Sequence, residues 1–453
     1  MFVSIDPATG AQRGTHPAWS DAQIEAALAQ ATAAAPVWRA TAVTQRAAVL
    51  RSMARILRSK CEAIADVITA EMGKLRREAL AEVEKSAWGC EFYADMAQQF
   101  TADEPVATDA ARSLISFEPL GTVLAIMPWN FPLWQVLRFA APALAVGNTA
   151  LLKHSSNVPE CALLIESLFE QAGAPAGVFR TLMIRANQTE RVIADPRIHA
   201  ITLTGSEAAG RRVAAVAGAN LKKCVLELGG SDPFIVLEDA DLDYAVSHAV
   251  TARFQNAGQS CIAAKRFIVV DGIADAFAQR FAERVARLQP GDPRADATSL
   301  APLARDDLRG ELQRQVSASM AQGATMIVGG APVTRPGFFF QATVLDHVRP
   351  GTPAWSEELF GPVAAIIRVP DEAAALAVAN ASRFGLGGSV WTRDVARGER
   401  VARQLACGAA FVNGMVKSDP RLPFGGVKDS GYGRELSRYG LLEFTNVKTI
   451  WIK

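Results

Sequence analysis

Residues 224–237 read CVLELGGSDPFIVL, and residues 254–261 read FQNAGQSC. The apolar run before Glu227 predicts a buried strand, and the glycine pair after it predicts a sharp turn that brings backbone close to a ligand. Cys261 closes a polar loop that lies between a helical pattern and a second apolar strand. These two stretches therefore predict a carboxylate at a strand end and a thiol on a loop held by two rigid elements.

A carboxylate and a thiol that converge support covalent catalysis, in which the thiol attacks an electrophilic carbon and the carboxylate activates water. Taken alone, Cys261 is also compatible with a small buried hydrophobic residue. The run PWNFP at residues 128–132 adds a third piece, because its two prolines restrain the Asn130 amide at the end of an apolar strand. An amide N–H is a suitable donor for a developing oxyanion. We predict Cys261, Glu227 and Asn130 as the catalytic residues.

Short apolar strands alternate with helical patterns around these motifs. In the first half the predicted strands lie at 123–127, 149–152, 200–204 and 223–226, and the predicted helices lie at 134–145, 159–172 and 206–217. This alternation predicts a doubly wound parallel sheet whose ligands bind at the carboxyl ends of the strands. A second α/β unit over residues 232–405, with predicted strands at 234–237, 267–270, 324–328 and 363–367, carries Cys261.

The glycines after the third strand of the first unit suggest a phosphate site. The chain has no GxGxxG motif, so the common dinucleotide fingerprint is missing. Gly205 and Ser206 instead open a helix, where backbone N–H groups can meet a pyrophosphate. The spacing from Gly205 to Gly210 is equally compatible with close packing of the helix.

Composition excludes several classes of partner. The 453 residues are 50% hydrophobic and carry 47 basic and 46 acidic side chains, so we expect no nucleic acid and no membrane surface as partner. The six cysteines are scattered, without CxxC pairs or neighbouring histidines, which indicates reduced thiols and no metal site. The chain shows neither a signal-peptide pattern nor an apolar run long enough to span a membrane, so we expect a cytoplasmic protein.

Six motifs together resemble the NAD(P)-dependent aldehyde dehydrogenase superfamily. They are PWNFP at 128–132, LTGS at 203–206, LELGG at 226–230, GQSC at 258–261, EELFGPV at 357–363 and PFGGVKDSGYGRE at 423–435. Each motif alone is weak, but their order and spacing over nearly the whole chain are specific. Within the superfamily, residues 152–154, the run at 224–237 and residues 255–256 are similar to bacterial succinate-semialdehyde dehydrogenases that accept both NAD and NADP.

The resemblance implies the domain organisation. Its fold is α/β, with two doubly wound, mostly parallel α/β domains and a small β oligomerisation arm. The implied parts are a dinucleotide-binding domain at 1–111 and 120–228, a catalytic domain at 229–436, and an arm at 112–119 and 437–453. In this family the arm bridges subunits, which implies a homodimer or homotetramer. We expect the helices before residue 100 to cover one face of a sheet and to have no chemical role.

The resemblance also implies NAD or NADP as cofactor. The implied cofactor contacts are Trp129, Lys153, Ser155, Ser156, Gly205, Ser206, Leu228, Glu358 and Phe360. Relatives often carry, at the position of Ser156, a glutamate that repels a 2′-phosphate, so its absence here predicts that NADP is tolerated. Arg185 is either a partner of that phosphate or a solvated surface arginine. Phe360 either contacts the nicotinamide or packs in the core.

For the substrate, the resemblance implies an aldehyde that Cys261 attacks, with hydride transfer to the cofactor and hydrolysis of a thioester through Glu227. Arg138, two helical turns after Asn130, and Ser418 match the carboxylate-binding positions of succinate-semialdehyde dehydrogenases. Many relatives add an arginine where Gln255 stands in this chain. This departure leaves open whether Lys417 or Arg421 compensates, and whether glutarate semialdehyde is preferred.

Other readings of the same residues remain open. The residues are compatible with a succinate-semialdehyde dehydrogenase, a general or glutarate-semialdehyde dehydrogenase, or a CoA-acylating aldehyde dehydrogenase, although Glu227 argues against the last. A thiol hydrolase is disfavoured because no histidine lies close to Cys261 in the sequence. An inactive homologue is disfavoured because Asn130, Glu227 and Cys261 are all present.

Overall fold

Two large sheets organise the computed structural model, which describes residues 1–453. The first sheet has six strands and the second has seven, and helices pack against both. A three-stranded sheet and two two-stranded sheets complete the β structure. This architecture confirms the predicted α/β class.

The N-terminal segment consists of two short strands and four helices. In chain order these are β1 (Phe2–Ile5), β2 (Gln12–His16), α1 (Asp21–Ala40), α2 (Val43–Ser59), α3 (Cys61–Met72) and α4 (Arg76–Phe100). Helix α1 begins with a capping box, in which the Ser20 side chain accepts from the Gln23 N–H and the Gln23 side chain accepts from the Ser20 N–H. Helix α4 packs against α2 and against the first helix of the following sheet.

The first sheet follows the predicted alternation. Its region contains β3 (Glu104–Pro105), β4 (Arg112–Pro119), β5 (Thr122–Met127), α5 (Trp134–Val146), β6 (Thr149–His154), α6 (Pro159–Gln171), β7 (Phe179–Thr181), α7 (Ala186–Ala194), β8 (Ile198–Thr204), α8 (Glu207–Ala219) and β9 (Lys223–Glu227). Strands β7, β6, β5, β8 and β9 are parallel neighbours in that order. The chain changes direction across the sheet between β5 and β8, and the ends of these strands are where an open α/β sheet binds its ligand.

The second sheet carries the cysteine loop. Its region contains β10 (Asp232–Val236), α9 (Leu242–Phe254), a 3-10 turn (Gln255–Gly258), β11 (Ala264–Val270), α10 (Asp271–Val285), α11 (Asp306–Ala321), β12 (Thr325–Val328), β13 (Thr343–Asp346), α12 (Pro353–Ser356), β14 (Val363–Val369), α13 (Glu372–Asn380), β15 (Phe384–Gly385), β16 (Gly387–Trp391), α14 (Val395–Ala402) and β17 (Ala409–Val412). The strand order is β12-β13-β14-β11-β10-β16-β17, and only β12 is antiparallel to its neighbour.

The C-terminal segment returns to the first half of the chain. It contains β18 (Val427–Lys428), β19 (Gly431–Tyr432), α15 (Ser437–Leu442) and β20 (Thr445–Ile452). Strand β19 pairs antiparallel with β9 and so becomes the sixth strand of the first sheet, with Gly431 opposite Glu227. Strand β20 pairs antiparallel with β4 along its whole length, and β3 flanks β4 on the other side. The predicted boundaries between domains and arm stay a prediction.

Strands β7, β13, β16 and β17 are absent from the sequence prediction. Strand β16 reads GGSVW, and its two glycines resemble a turn in the sequence. In the structure those glycines allow close packing, since a Cβ on Gly387 would lie 2.6 Å from Asp232 Oδ2. No helix in the structure is both long and apolar enough to cross a membrane.

Candidate active site

The backbone before Cys261 is strained. Asn256 and Ala257, in the 3-10 turn that follows α9, have φ angles of 55° and 51°. Residues other than glycine rarely adopt this left-handed conformation, and each such residue costs free energy unless its surroundings hold it in place. A Cβ on the next residue, Gly258, would lie 2.3 Å from the Gly361 carbonyl oxygen, so the turn is also tightly packed.

A buried hydrogen-bond network holds the turn. Asn256 Nδ2 donates to the carbonyl oxygens of Asn130 and Gln259, at 3.0 Å each. The Asn256 N–H donates to Glu78 Oε1 at 3.0 Å, and the Ala304 N–H donates to Gln259 Oε1 at 2.9 Å. The network therefore joins the cysteine loop to the end of β5 and fixes the conformation of the loop.

The Asn130 side chain belongs to the same network. It is 4% exposed, and its Nδ2 donates to the Gln259 carbonyl oxygen at 3.1 Å. A primary amide carries two N–H donors, so one remains for a ligand. Asn130 thus has the donor that the oxyanion role requires, and that role stays a prediction.

Two cavities meet at Cys261. Both are lined by Cys261 and Gln135. The first cavity is lined by Gly229 and by six predicted cofactor contacts: Trp129, Gly205, Ser206, Leu228, Glu358 and Phe360. Asn130 also lines it. All three predicted substrate residues, Arg138, Gln255 and Ser418, line the second cavity. The thiol therefore lies where a molecule in one cavity can meet a molecule in the other.

The lining of the first cavity includes one carboxylate and two aromatic rings. Glu358 Oε1 accepts a hydrogen bond from the Gly230 N–H at 3.0 Å and lies 3.5 Å from Lys265 Nζ. The rings of Phe360 and Trp129 meet edge to face, with centroids 5.7 Å apart. Phe360 is partly exposed to this cavity, so it is not simply a core residue.

The glycines at the start of α8 differ in role. Gly205 lines the first cavity, whereas a Cβ on Gly210 would lie 2.6 Å from Leu228, so Gly210 serves close packing. The Gly205 N–H donates to the Glu227 carbonyl oxygen at 2.9 Å and is not free for a phosphate, contrary to our expectation. The Ala209 N–H donates to Ser206 Oγ, so the N–H groups of Glu207 and Ala208 are the ones left for an anion at the start of α8.

Three of the predicted cofactor residues lie away from Cys261. Lys153, Ser155 and Ser156 are at the carboxyl end of β6 and line neither cavity. Ser155 Oγ donates to Asn157 Oδ1 at 2.7 Å and faces a separate small cavity, while Ser156 is exposed. Since β6 is the parallel neighbour of β5, these residues share the ligand-binding edge of the sheet. Their contact with a cofactor stays a prediction.

Glu227 ends β9 and is 2% exposed. It lines neither cavity, and neither of its carboxylate oxygens has a hydrogen-bond partner. Burial, together with the nearby charge of Glu435, raises the pKa of Glu227 well above its ordinary value. A raised carboxyl pKa suits a general base that works near neutral pH, and the base role stays a prediction.

The Cys261 thiol is protonated in this environment. Burial raises the pKa of Cys261 to about 12, although the charges of Arg138 and Lys265 oppose that rise. The thiolate is the nucleophilic form of cysteine. A further positive charge near the sulfur would lower this pKa and favour the thiolate.

Arg138 has a partner that the sequence analysis missed. Arg138 and Glu435 form a buried ion pair in which each side chain is 3% exposed. Arg138 Nη2 also donates to Thr204 Oγ1 at 3.3 Å, and the guanidinium lies 4.8 Å from the centre of the Phe424 ring. Arg138 lines the second cavity as predicted, but its charge is already matched by a carboxylate.

Helix α4, to which the sequence analysis assigned no chemical role, borders the second cavity. Glu78, Glu82 and Lys85 of this helix line the second cavity. Glu82 Oε1 accepts from the N–H groups of Leu133 and Trp134 at 2.9 and 3.0 Å. Positions 78, 82 and 85 have helical spacing, which places the three side chains on one helix face. This spacing was the sequence signal from which the three residues could have been grouped.

The remaining candidates lie at the edge of the second cavity or outside it. Gln255 and Lys417 line the cavity as exposed residues. Arg421 pairs with Asp419 at 2.7 Å and does not line the cavity.

No cluster of three or more His, Cys, Asp or Glu side chains in the structure is arranged to hold a metal ion, and all six cysteines are free.

Comparison with known proteins agrees with this geometry. Residues 1–450 match the family model described as aldehyde dehydrogenase family. The chain is 50% identical over 451 residues to a probable succinate-semialdehyde dehydrogenase (NADP(+)) of Synechocystis sp., covering 100% of this chain and 99% of that one. It is 50% identical over 450 residues to the succinate semialdehyde dehydrogenase (NAD(P)+) of Escherichia coli, covering 99% and 97% of the two chains.

A solved structure gives the same result. The crystal structure of succinic semialdehyde dehydrogenase from Streptococcus pyogenes in complex with NADP+ superposes with a TM-score of 0.98, at 38% identity, and the match covers 100% of both chains. Family model, relatives and fold agree over the full length of the chain. The chain therefore belongs to the aldehyde dehydrogenase family.

Proposed function

We propose that this protein oxidises succinate semialdehyde to succinate, with NADP+ or NAD+ as hydride acceptor. The observation that carries the proposal is the position of Cys261 between a cavity lined by Asn130, Glu358 and Phe360 and a cavity lined by Arg138 and Ser418. Relatives that share about half of the residues over the full chain are named for this activity, which supports the same substrate here.

The chain's own groups account for each step. The Cys261 thiolate adds to the aldehyde carbon, and the Asn130 amide and the Cys261 N–H stabilise the resulting oxyanion. Glu358 and Phe360 of the first cavity would hold the oxidised nicotinamide cofactor, which would supply the acceptor for the hydride that leaves this carbon. A thioester to Cys261 remains, and Glu227 takes a proton from the water that attacks it. Cleavage of the C–S bond releases succinate and restores the thiolate.

The first cavity fits a dinucleotide. Glu358 offers a carboxylate to a ribose, Phe360 and Trp129 offer an aromatic wall, and the start of α8 offers N–H groups to a pyrophosphate. Glu358 is already aligned by the Gly230 N–H and by Lys265. Lys153, Ser155 and Ser156 are proposed to meet the adenosine end.

We propose that NADP+ is accepted because no carboxylate stands at the position of Ser156. An exposed serine leaves room for a 2′-phosphate and offers it a hydroxyl donor, whereas a glutamate would repel it. The Synechocystis relative is named for NADP(+) and the Escherichia coli relative for NAD(P)+. Use of NAD+ as well is therefore part of the proposal.

We also propose a cytoplasmic homodimer or homotetramer. Strand β20 extends the β4 sheet and exposes Val447, Trp451 and Ile452, which are apolar side chains that a second subunit would cover. The six free cysteines suit a reducing compartment.

The reaction class is tested by following the reduced cofactor and the acid product. Wild type is assayed with succinate semialdehyde and NADP+, with and without CoA, beside Cys261→Ala. We expect free succinate in equal amounts with and without CoA, and no turnover by the variant. Formation of an acyl-CoA would favour the CoA-acylating alternative, and full activity of Cys261→Ala would contradict the mechanism.

A further inference from the structure

Lys85 occupies a defined position in the second cavity. Its Nζ donates to Ser418 Oγ at 2.7 Å and lies 4.7 Å from the centre of the Trp134 ring. Trp134 Nε1 donates to the same Ser418 oxygen at 3.2 Å. All three side chains line the cavity that Cys261 also lines. Lys85 is half-buried, and its ammonium group is held at the wall of the cavity by these contacts.

Other cations near this cavity are already paired. Lys74 binds Glu82, Arg138 binds Glu435 and Arg421 binds Asp419. The remaining cation, Lys417, is exposed, so water screens its charge. Lys85 differs from all of these, because its Nζ has a neutral hydroxyl as its hydrogen-bond partner.

A cation removed from water without a counter-ion costs free energy. Burial accordingly lowers the pKa of Lys85 to about 8. An anion that enters the cavity recovers that cost, since a hydrogen bond between charged groups is about twice as strong as one between neutral groups. The cavity is thus arranged to bind a carboxylate beside Lys85.

We propose that Lys85 binds the far carboxylate of the substrate, together with Ser418, and so determines the specificity for an ω-carboxylated aldehyde. The inference rests on the proposed function and deepens it. It also answers the question that Gln255 raises: the cation that many relatives place at that position in the cysteine loop is supplied here from α4. Arg138 contributes positive potential from the opposite helix, although Glu435 neutralises part of it.

The test uses Lys85→Met, which keeps a long apolar side chain against Trp134, and Lys85→Arg, which restores a cation. The matched control is Arg421→Met, which removes a cation that is close to Ser418 in the sequence but lies outside the cavity. The value of kcat/KM is measured for succinate semialdehyde and for butanal, the neutral aldehyde with the same number of carbons. Binding of succinate to each enzyme is measured by its effect on the melting temperature.

We expect Lys85→Met to lower kcat/KM for the semialdehyde by about tenfold to a hundredfold, mostly through KM, which is the range for one hydrogen bond between charged groups. The value for butanal should change by less than about twofold, and succinate should no longer raise the melting temperature. Lys85→Arg should recover most of the preference, and Arg421→Met should keep it.

Two outcomes would overturn the inference and are distinct from failure of the proposed function. If wild type prefers the semialdehyde and Lys85→Met keeps that preference, Lys85 does not bind the carboxylate, while the proposed function stands. Equal losses for both substrates would show a structural role and would also overturn the inference. If wild type itself has no preference over butanal, the proposed function fails together with the inference.

Discussion

Arg138, which lines the second cavity, forms a buried ion pair with Glu435. Glu435 also lies close enough to Glu227 for its charge to raise the pKa of that buried carboxyl. One carboxylate therefore offsets the charge of Arg138 and also raises the pKa of the proposed general base.

Replacing Glu435 tests this double influence. Glu435→Gln removes a negative charge, so the pKa of Glu227 should fall and the deprotonated base should be present at lower pH. The acid limb of the pH profile of kcat should therefore move to lower pH, which steady-state assays across the acid range would reveal. An acid limb that stays in place or moves to higher pH would contradict the assignment of that limb to Glu227.

Removal of the proposed base should separate the two half-reactions. In Glu227→Gln, hydride transfer to the cofactor precedes the step that needs the base, so a rapid burst of reduced cofactor should appear. Steady turnover should then fall by about a hundredfold or more, the usual contribution of a general base. Stopped-flow absorbance measures both phases, and an unchanged steady rate would remove Glu227 from this role.

The thiol of Cys261 should respond to the cofactor. Its pKa of about 12 without ligand means that it is protonated at neutral pH, and alkylation by iodoacetamide should rise steadily with pH up to that value. Saturating NADP+ brings a positive ring to the first cavity, so the alkylation profile should move to lower pH. The reduced cofactor, whose ring is neutral, is the control. Identical profiles with both forms would exclude this electrostatic effect.

The preference for a carboxylated substrate should fall at high pH. Lys85 loses its proton as pH rises through about 8, and the charged groups that face it are Glu78 and Glu82 from α4, Arg138 from α5, and Lys417 and Asp419 from the C-terminal segment. The ratio of kcat/KM for succinate semialdehyde to that for butanal cancels the ionisation of Cys261. This ratio should decline above pH 8 in wild type.

Lys85→Arg should remove the decline, because an arginine stays protonated over this range. A ratio that is flat with pH in wild type, or that falls equally in Lys85→Arg, would contradict a role for the lysine ammonium in substrate binding.

Site residues in loops beside strands could be predicted from the sequence. Asn130, Gly205 and Cys261 each lie in a loop next to a strand of a parallel sheet, and a polar residue beside proline or glycine, next to an apolar run, marks such loops. The structure brings these three to one cavity. Recognition of spaced motifs added Glu358 and Phe360, which no local rule would have selected.

Features that depend on pairing between distant segments could not be predicted in this way. The partner of Arg138 is Glu435, which is distant in the sequence, and no local sequence pattern near either residue predicts the contact. Lys85 reads in sequence as a solvated charge on a long helix, and only the packing of α4 against α5 turns it toward the cavity. Likewise, the hydrogen bond that occupies the Gly205 N–H is set by the neighbouring strand β9.

The most direct test of this account is the substrate preference of the wild-type enzyme. With NADP+ and then NAD+, kcat/KM is compared for succinate semialdehyde and butanal. We predict a preference of about a hundredfold or more for the semialdehyde, roughly the 3 kcal/mol expected of a hydrogen bond between charged groups. Equal values with either cofactor would contradict a carboxylate site in the second cavity and would leave a general aldehyde dehydrogenase.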